Sequence, residues 1–294
     1  MLDYKGIEAL YMVQKLQSFE AAAEKLHLTQ SAISQRIKVL EAYYGEPLLI
    51  RSLPYRPTQL GEQLIGLFKR VCLLEEDFSQ ELKEKKMPFR CSIALNRDSL
   101  ETYFLSLLQH TTLFKGMILE IIADDQEKTL EYLKNGLANI AISTSSMGTL
   151  GSKTHFLGDM DYILVASPEL YEQYFSKLPP SKALYQAPAL KYDQHDTLHH
   201  RYLEKFFNLT EESLQYLVIP SVQGFKQCAL QGYAYGLIPK IDVEAELTNK
   251  TLIQLYRECI WKVPLYLHYF SIQSKHYESF ILQLAGHIQR YLTH

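Results

Sequence analysis

The 294-residue sequence predicts a mainly α head carrying a winged helix-turn-helix, then one long helix, then an α/β domain. Three observations predict it. Residues 1–58 read as short helices divided by tight turns. Residues 59–86 run without a proline up to Met87-Pro88. From residue 88, short apolar runs at 92–95, 118–123, 140–143 and 162–166 alternate with helix-period segments, the texture of a largely parallel sheet with crossover helices. The length suits about two domains of ~150 residues each. With 47% hydrophobic and 21% charged residues, global disorder is excluded. A net charge of −3 excludes a polycationic tail but leaves room for a local basic face. No apolar run approaches the ~18 residues of a membrane span. Asp3 and Glu8 stand where a signal peptide would have a basic start and an apolar core, so the cytosol is the expected compartment. Cys72, Cys91, Cys228 and Cys259 form no C-x-x-C pair, which argues against a zinc ribbon or a thioredoxin site and for buried thiols.

The elements of the head follow in order. Residues 5–16 place Ile7, Leu10, Tyr11 and Gln14 on neighbouring helical turns. Ser18 is the expected N-cap of a second, Ala-rich helix at 19–26, whose small side chains allow close packing across a short turn. Thr29 caps a third helix running to about Tyr43. On it, Ile33, Ile37, Leu40 and Tyr44 recur at 4, 3 and 4 and share one side. The other side carries Ser31, Ser34, Gln35 and Lys38. No acidic residue occurs from 28 to 40. A helix in a DNA major groove must avoid carboxylates because phosphates line both walls, and Ser, Gln and Lys donate to base edges. A solvated polar face on a bundle helix is the alternative for this helix alone. Residues 47–51 and 56–58 then read as two short strands around a turn, a wing that sets Arg51 and Arg56 at the sugar-phosphate backbone. Residues 28–58 hold four basic and two acidic side chains, a local +2.

Thr58 can cap the long helix, ~42 Å over roughly 28 residues. Leu60, Leu64, Leu67, Val71, Leu74 and Phe78 recur at 4, 3, 4, 3 and 4, a heptad seam. Either a second copy covers this stripe or its own chain does. In the α/β domain, ligands are expected beyond the carboxyl ends of strands. The loops there are Asn96-Arg97-Asp98-Ser99, with Ser99 as helix cap; Asp124-Asp125; Thr144-Ser145-Ser146; Lys191-Tyr192-Asp193, leading to residues 194–199; and Ser221-Val222-Gln223.

The runs 19–26 (FEAAAEKL) and 29–41 (TQSAISQRIKVLE), then Gly45 and 47–51 (PLLIR), closely resemble the LysR-type transcriptional regulators, as do length and layout. Segments 29–37, 56–58, 96–100, 157–162 and Gln231-Gly232 resemble the branch that governs arginine and lysine export. The resemblance implies a DNA-binding head at 1–58, a dimerisation helix at 59–87 and a two-lobed, periplasmic-binding-protein-like effector domain at 88–294. The lobes would be about 88–161 with 268–294, and about 162–267. It favours an intermolecular seam, hence a homodimer or homotetramer on inverted-repeat double-stranded DNA, with RNA polymerase as a further partner. Thr29, Gln30 and Arg36 join Ser31, Ser34, Gln35, Lys38, Arg51 and Arg56 as DNA-contacting residues. The effector implied is a basic amino acid. Its carboxylate would sit at Ser99 and nearby N–H groups, and its cationic end at Asp98, Asp124, Asp193 or Asp196, with Asn96, Thr144, Ser145, Ser221 and Gln223 around it. Val222 and Gln223 depart from the Ser and acid of the branch, so a different metabolite, or none, stays open.

No cofactor or catalytic residue is expected. G-x-S-x-G, G-x-x-x-x-G-K-[ST] and G-x-G-x-x-G are all absent. His195 and His199 share a helical face but lack any supporting ligand pattern, so no metal is expected. Two other classes compete: an architectural DNA-binding protein whose second half is empty, and a small-molecule binding module whose N-terminal helices pair only with protein.

Overall fold

The computed structural model describes residues 2–82, 90–126, 128–149, 151–194, 196–210, 214–270 and 275–293. The 87/88 division and the end of the long helix lie outside them. In the head, three side chains cap three helices, each cap worth ~1 kcal/mol. Asp3 accepts from the Gly6 amide (3.1 Å) at α1 (Tyr4–Leu16). Ser18 accepts from Ala21 (3.2 Å) at α2 (Phe19–Lys25). Thr29 accepts from Ala32 (3.2 Å) at α3 (Gln30–Tyr44). Gly45, at φ +77°, ends α3 in the left-handed region, where a side chain would be strained. Ile7, Leu10, Val13, Ala22, Ala23, Ile33, Ile37 and Leu40 close one core between these helices. Strands β1 (Leu49–Ile50) and β2 (Arg56–Pro57) pair antiparallel as the wing.

Thr58 then ties the wing to α4 (Gln59–Leu82). Its hydroxyl donates to the Pro47 carbonyl (2.9 Å) and accepts from the Gly61 amide (3.2 Å). The heptad stripe on α4 is divided. Leu64 is 5% exposed and, with Ile65, completes the head's own core; Leu60 packs against the same cluster. Leu67 and Val71 are half-buried and Leu74 is 45% exposed. The Phe78 side chain lies outside the described residues. A continuous intermolecular seam from Leu60 downward is therefore corrected: the winged head needs the first turns of α4 to close its core.

The remaining chain folds around a seven-stranded mixed sheet. Strand β3 (Arg90–Asn96) leads into a continuous helical run made of α5 (Arg97–Ser99), a π-helical turn (Leu100–Phe104) and α6 (Leu105–His110). Next come β4 (Ile118–Asp124), α7 (Thr129–Lys134), β5 (Ile140–Ser143) and the long β6 (Ser152–Ala166). After α8 (Pro168–Leu170) and α9 (Pro180–Gln186), β7 (Ala189–Lys191), α10 (Leu198–Phe207), β8 (Tyr216–Val218), α11 (Val222–Leu230), β9 (Gly236–Pro239), α12 (Glu244–Thr248) and β10 (Ile253–Leu255) follow. Strand β11 (Trp261–Phe270) and α13 (Lys275–Gln289) close the chain.

Strands β4, β3 and β5 are parallel. Strand β6, however, is antiparallel to β11, β9 and β10. The expected largely parallel sheet is thus mixed, because β6 carries the chain from one half to the other and β11 carries it back. At Tyr162, β6 exchanges β11 for β9 as its neighbour. Alternating apolar faces of these strands, Ile93, Leu95, Ile140, Ile142, Leu164 and Leu267 among them, are fully buried. Among the described residues no disulfide forms and no helix is long and apolar enough to cross a membrane.

Helix α4 starts tightly against the wing. A Cβ at Gly61 would lie 2.2 Å from the Leu48 carbonyl oxygen, a backbone atom that cannot swing aside. Gly61→Ala should therefore destabilise the head by ~1–3 kcal/mol, the usual cost of overpacking. Chemical denaturation followed by circular dichroism measures it, and an unchanged midpoint would refute the contact.

Candidate functional site

Two surfaces carry chemistry. The first is the outer side of α3. Burial of Ile33, Ile37 and Leu40 turns Gln30, Ser31, Gln35 and Lys38 fully outward, with Ser34 and Arg36 half-buried. Thr29 is exposed, and its hydroxyl, besides capping the helix, lies 3.0 Å from that of Ser31. Among the described residues nothing covers the outward side chains of the acid-free ridge. Arg56 is exposed on β2. Arg51 is exposed too but holds Glu41 at 3.0 Å, and Glu41 also accepts from the Leu48 amide at 3.1 Å. Glu41 thus anchors the wing to α3, a link the residue pattern did not suggest.

The second surface is a cleft of about 460 Å³ between the two halves of the sheet domain, a size typical of small-molecule sites. From one side, β3 ends at Asn96, whose side-chain Oδ1 accepts from the Ser99 backbone amide (3.1 Å). Asn96, and not Ser99, is therefore the helix cap. Ser99 itself is fully buried inside the helical run. Asp98, in the same first turn, accepts from the Tyr162 hydroxyl at 2.5 Å. Burial raises the Asp98 carboxyl above its ordinary range; the Tyr162 bond opposes this, while Asp196 and Glu101 add to it. Asp124 ends β4 and accepts from Tyr132 (2.6 Å), the Asp125 amide (2.8 Å) and Lys128 (3.4 Å). Burial works against its charge, yet these three donors together hold its carboxyl below the ordinary range.

The facing side comes from the loop after β7 and from α10 and α11. Asp196 accepts from the Tyr192 and Leu198 amides, both at 3.0 Å, and its own amide donates to Asp193 (3.0 Å). Arg97 reaches across: its guanidinium donates to the Tyr192 hydroxyl (3.0 Å) and sits 5.6 Å from the ring centroid. Behind the cleft, Thr102 donates to Asp242 at 2.9 Å, a second bond between the halves. Among the described lining residues, Asp98, Asp124, Asp125, Asp193 and Asp196 outnumber Arg97, Lys128 and Arg201. Lys128 is already paired with Asp124 and Asp125. The cleft accordingly favours a ligand bearing net positive charge, and with Arg97 at its mouth it also suits one carboxylate.

Of the effector residues expected from the sequence, Asn96, Asp98, Asp124, Asp193 and Asp196 meet at this cleft. Five others do not. Ser99 is interior. Thr144 stands behind the lining, accepting from Gln126 (3.0 Å). Ser145 turns its hydroxyl to the Met147 carbonyl (2.9 Å). Ser221 caps α11 through the Gly224 amide (3.0 Å), and Gln223 points to solvent while Val222 faces the cleft. Short hydroxyls at strand ends are consumed by local turns, which a residue list does not show. Arg97 and Tyr192 lie in loops the sequence singled out but were not among its contact candidates, and Lys128, Tyr162 and Arg201 were not anticipated. Tyr162 carried a signal, since it lies where the strand pattern crosses between halves. His195 lies outside the described residues, and among those described no group of three metal-binding side chains occurs.

The family model "Bacterial regulatory helix-turn-helix protein, lysR family" matches residues 4–62, and "LysR substrate binding domain" matches 92–287. HTH-type transcriptional regulator ArgP of Vibrio cholerae is 40% identical over 275 residues, 93% of this chain and 92% of that protein. ArgP of Vibrio parahaemolyticus is 38% identical over 293 residues, covering 99% and 98%. The crystal structure of ArgP from Mycobacterium tuberculosis superposes with a TM-score of 0.90 at 29% identity, over 100% of this chain and 99% of that one. Full-length LysG of Corynebacterium glutamicum with bound effector Arg shares the fold, with a TM-score of 0.81 at 24% identity over 100% of both chains.

Burial pushes the Asp242 carboxyl up to about 6 from an ordinary 3.8, against the pull of its Thr102 bond. As pH rises, the unfolded chain releases this proton first. The group's contribution to stability is therefore full below about pH 4 and lost as pH climbs through about 6. Asp242→Asn stays neutral throughout, so it should gain ~2–3 kcal/mol on the wild type between about pH 4 and pH 7.5. Urea melts at both pH values measure the difference, and an equal difference at both would rule out the shift.

Proposed function

Because the chain belongs to the LysR family of DNA-binding transcription regulators, we propose that its cleft takes a basic amino acid, lysine or arginine, as effector. The observation that carries this reading is the excess of carboxylates around the cleft, with Asp98 held half-buried by Tyr162. The side-chain cation meets Asp98 and Asp196. The α-carboxylate meets Arg97, the cation at the mouth, in place of Ser99. A charged guanidinium or ammonium replaces water at a buried carboxylate with a charge-assisted hydrogen bond, the strong kind. A protein of the same fold holds arginine as its effector. The apolar Val222 on the cleft wall favours one second reading, a different metabolite in the same place.

On the DNA side, α3 enters the major groove. Ser31, Ser34, Gln35 and Lys38 read base edges or phosphates, and Thr29, Gln30, Arg36 and Arg56 hold the backbone. Arg51 reaches a phosphate by turning away from Glu41. Two copies pair along the open part of α4, from Leu67 to Leu74 and beyond, and read an inverted repeat as a homodimer or a pair of dimers. RNA polymerase is the partner through which binding becomes regulation, and the cytoplasm is its place. Effector and DNA are linked by a coupling free energy, for which ~1–3 kcal/mol suffices.

Two measurements test these roles. Asp98→Asn should weaken arginine binding by at least tenfold in titration calorimetry, in line with ~1.5–3 kcal/mol for a hydrogen bond to a charged group; unchanged affinity would move the cation elsewhere. Lys38→Ala should lower the slope of log affinity against log salt by about one on a duplex selected from a random pool. An unaltered slope would remove Lys38 from the phosphates.

A further inference from the structure

One element touches both the cleft and the long helix. Strand β4 delivers Asp124 into the cleft, and the loop after it supplies Asp125, Gln126 and Lys128 to the lining. Helix α7 starts directly afterwards. It is tied to Asp124 at its head by the Tyr132 hydroxyl (2.6 Å) and by Lys128, which bridges Asp124 (3.4 Å) and Asp125 (3.2 Å). It is seated on the sheet by Leu133, fully buried with Ala94, Ala138 and Ala141. Its far end meets α4. The Asn135 side-chain amide donates to the Glu62 carboxylate at 2.8 Å. Gly66 and Gly136 pack backbone on backbone: a Cβ on Gly66 would lie 2.6 Å from the Asn135 carbonyl oxygen, and one on Gly136 would lie 2.1 Å from the Gly66 Cα. Lower on the same face of α4, the Arg70 guanidinium covers the Phe270 ring at 4.7 Å. Glu62, Gly66 and Arg70 recur every four residues, so one stripe of α4 is docked on the sheet domain of its own chain.

A short helix pinned at both ends moves as a unit, because packed interiors shift between discrete arrangements and do not stretch. We infer that α7 is a strut: a ligand held at Asp98, Asp196 and Arg97 fills the cleft that Asp124 and Lys128 also line, presses on or draws in that wall, repositions α7, and through Asn135 and Gly136 shifts the linker helix that carries the winged head. This deepens the effector reading above and rests on it for the ligand used as probe. Linkage makes the coupling reciprocal, so disturbing the α4 junction must alter the cleft.

The full-length protein tests it in two ways. Gly66→Ala keeps a good helix former in α4 and wedges the junction apart, while Asn135→Ala removes the hydrogen bond. Each should change arginine affinity by at least threefold in titration calorimetry, although neither residue lines the cleft. Affinities within twofold of wild type for both variants would overturn the strut. Should the wild type take up no arginine, the effector reading fails by itself and a second measurement decides. Asp124→Asn loosens the head of α7 without any ligand, and should alter deuterium uptake across residues 62–70, whereas Asp193→Asn on the opposite wall should not. Uptake unaltered by Asp124→Asn, or altered equally by both variants, would overturn the inference.

Discussion

Two strands, β6 and β11, pass between the halves of the sheet domain, and the effector cleft exists because of that crossing. Over fifteen residues β6 pairs first with β11 and then with β9 and β10. Tyr162 stands at that exchange, and its hydroxyl holds Asp98 from the opposite side of the cleft. The two halves can therefore alter their angle only by twisting strands that are themselves held in the sheet. Arg97 with Tyr192 at the mouth and Thr102 with Asp242 at the back are polar contacts that can open and re-form as that twist changes. A fixed crossing and breakable flanking bonds give a cleft with discrete states, which a regulator needs and a static scaffold does not.

Charge is distributed by the same logic. The chain is nearly neutral, yet five aspartates meet at the cleft while residues 28–40 have no acid at all. The excess of aspartates is stabilised locally: Asp124 by three donors, Asp196 by two backbone amides, Asp98 by a phenol. Such carboxylates keep their positions while waiting for a cation, so little reorganisation remains to be done on binding. On α3 the ordering runs the other way, with the polar ridge left in water and rigid only through the apolar residues beneath it.

How much of this was legible in the sequence depended on how local the cause was. The caps Ser18 and Thr29 and the 4-3-4 stripe of α3 are set by neighbours within one turn, and the structure places them as the pattern says. Ser99 was misplaced for a similarly local reason: Asn96, three residues earlier, competes for its amide and wins. The heptad stripe on α4 was legible as apolar periodicity, but which surface covers it is a tertiary matter. Leu60 and Leu64 are claimed by the head because β1 and Gly61 bring the wing against that turn. Arg97, Tyr192 and Arg201 face the cleft by virtue of chain segments about a hundred residues apart, and no spacing rule records that meeting.

The division of α4 sets a mechanical ratio. Its first turns are fixed to the head, while Glu62, Gly66 and Arg70 dock on the sheet domain, so one continuous helix joins the two. From Arg70 back to Gln59 that lever is ~16 Å long at 1.5 Å per residue. A rotation of about 10° at Arg70 moves its far end by ~3 Å, close to the ~3.4 Å axial rise per base of one DNA strand. A small rotation where α4 meets the sheet domain is thereby carried to the duplex as nearly one base step.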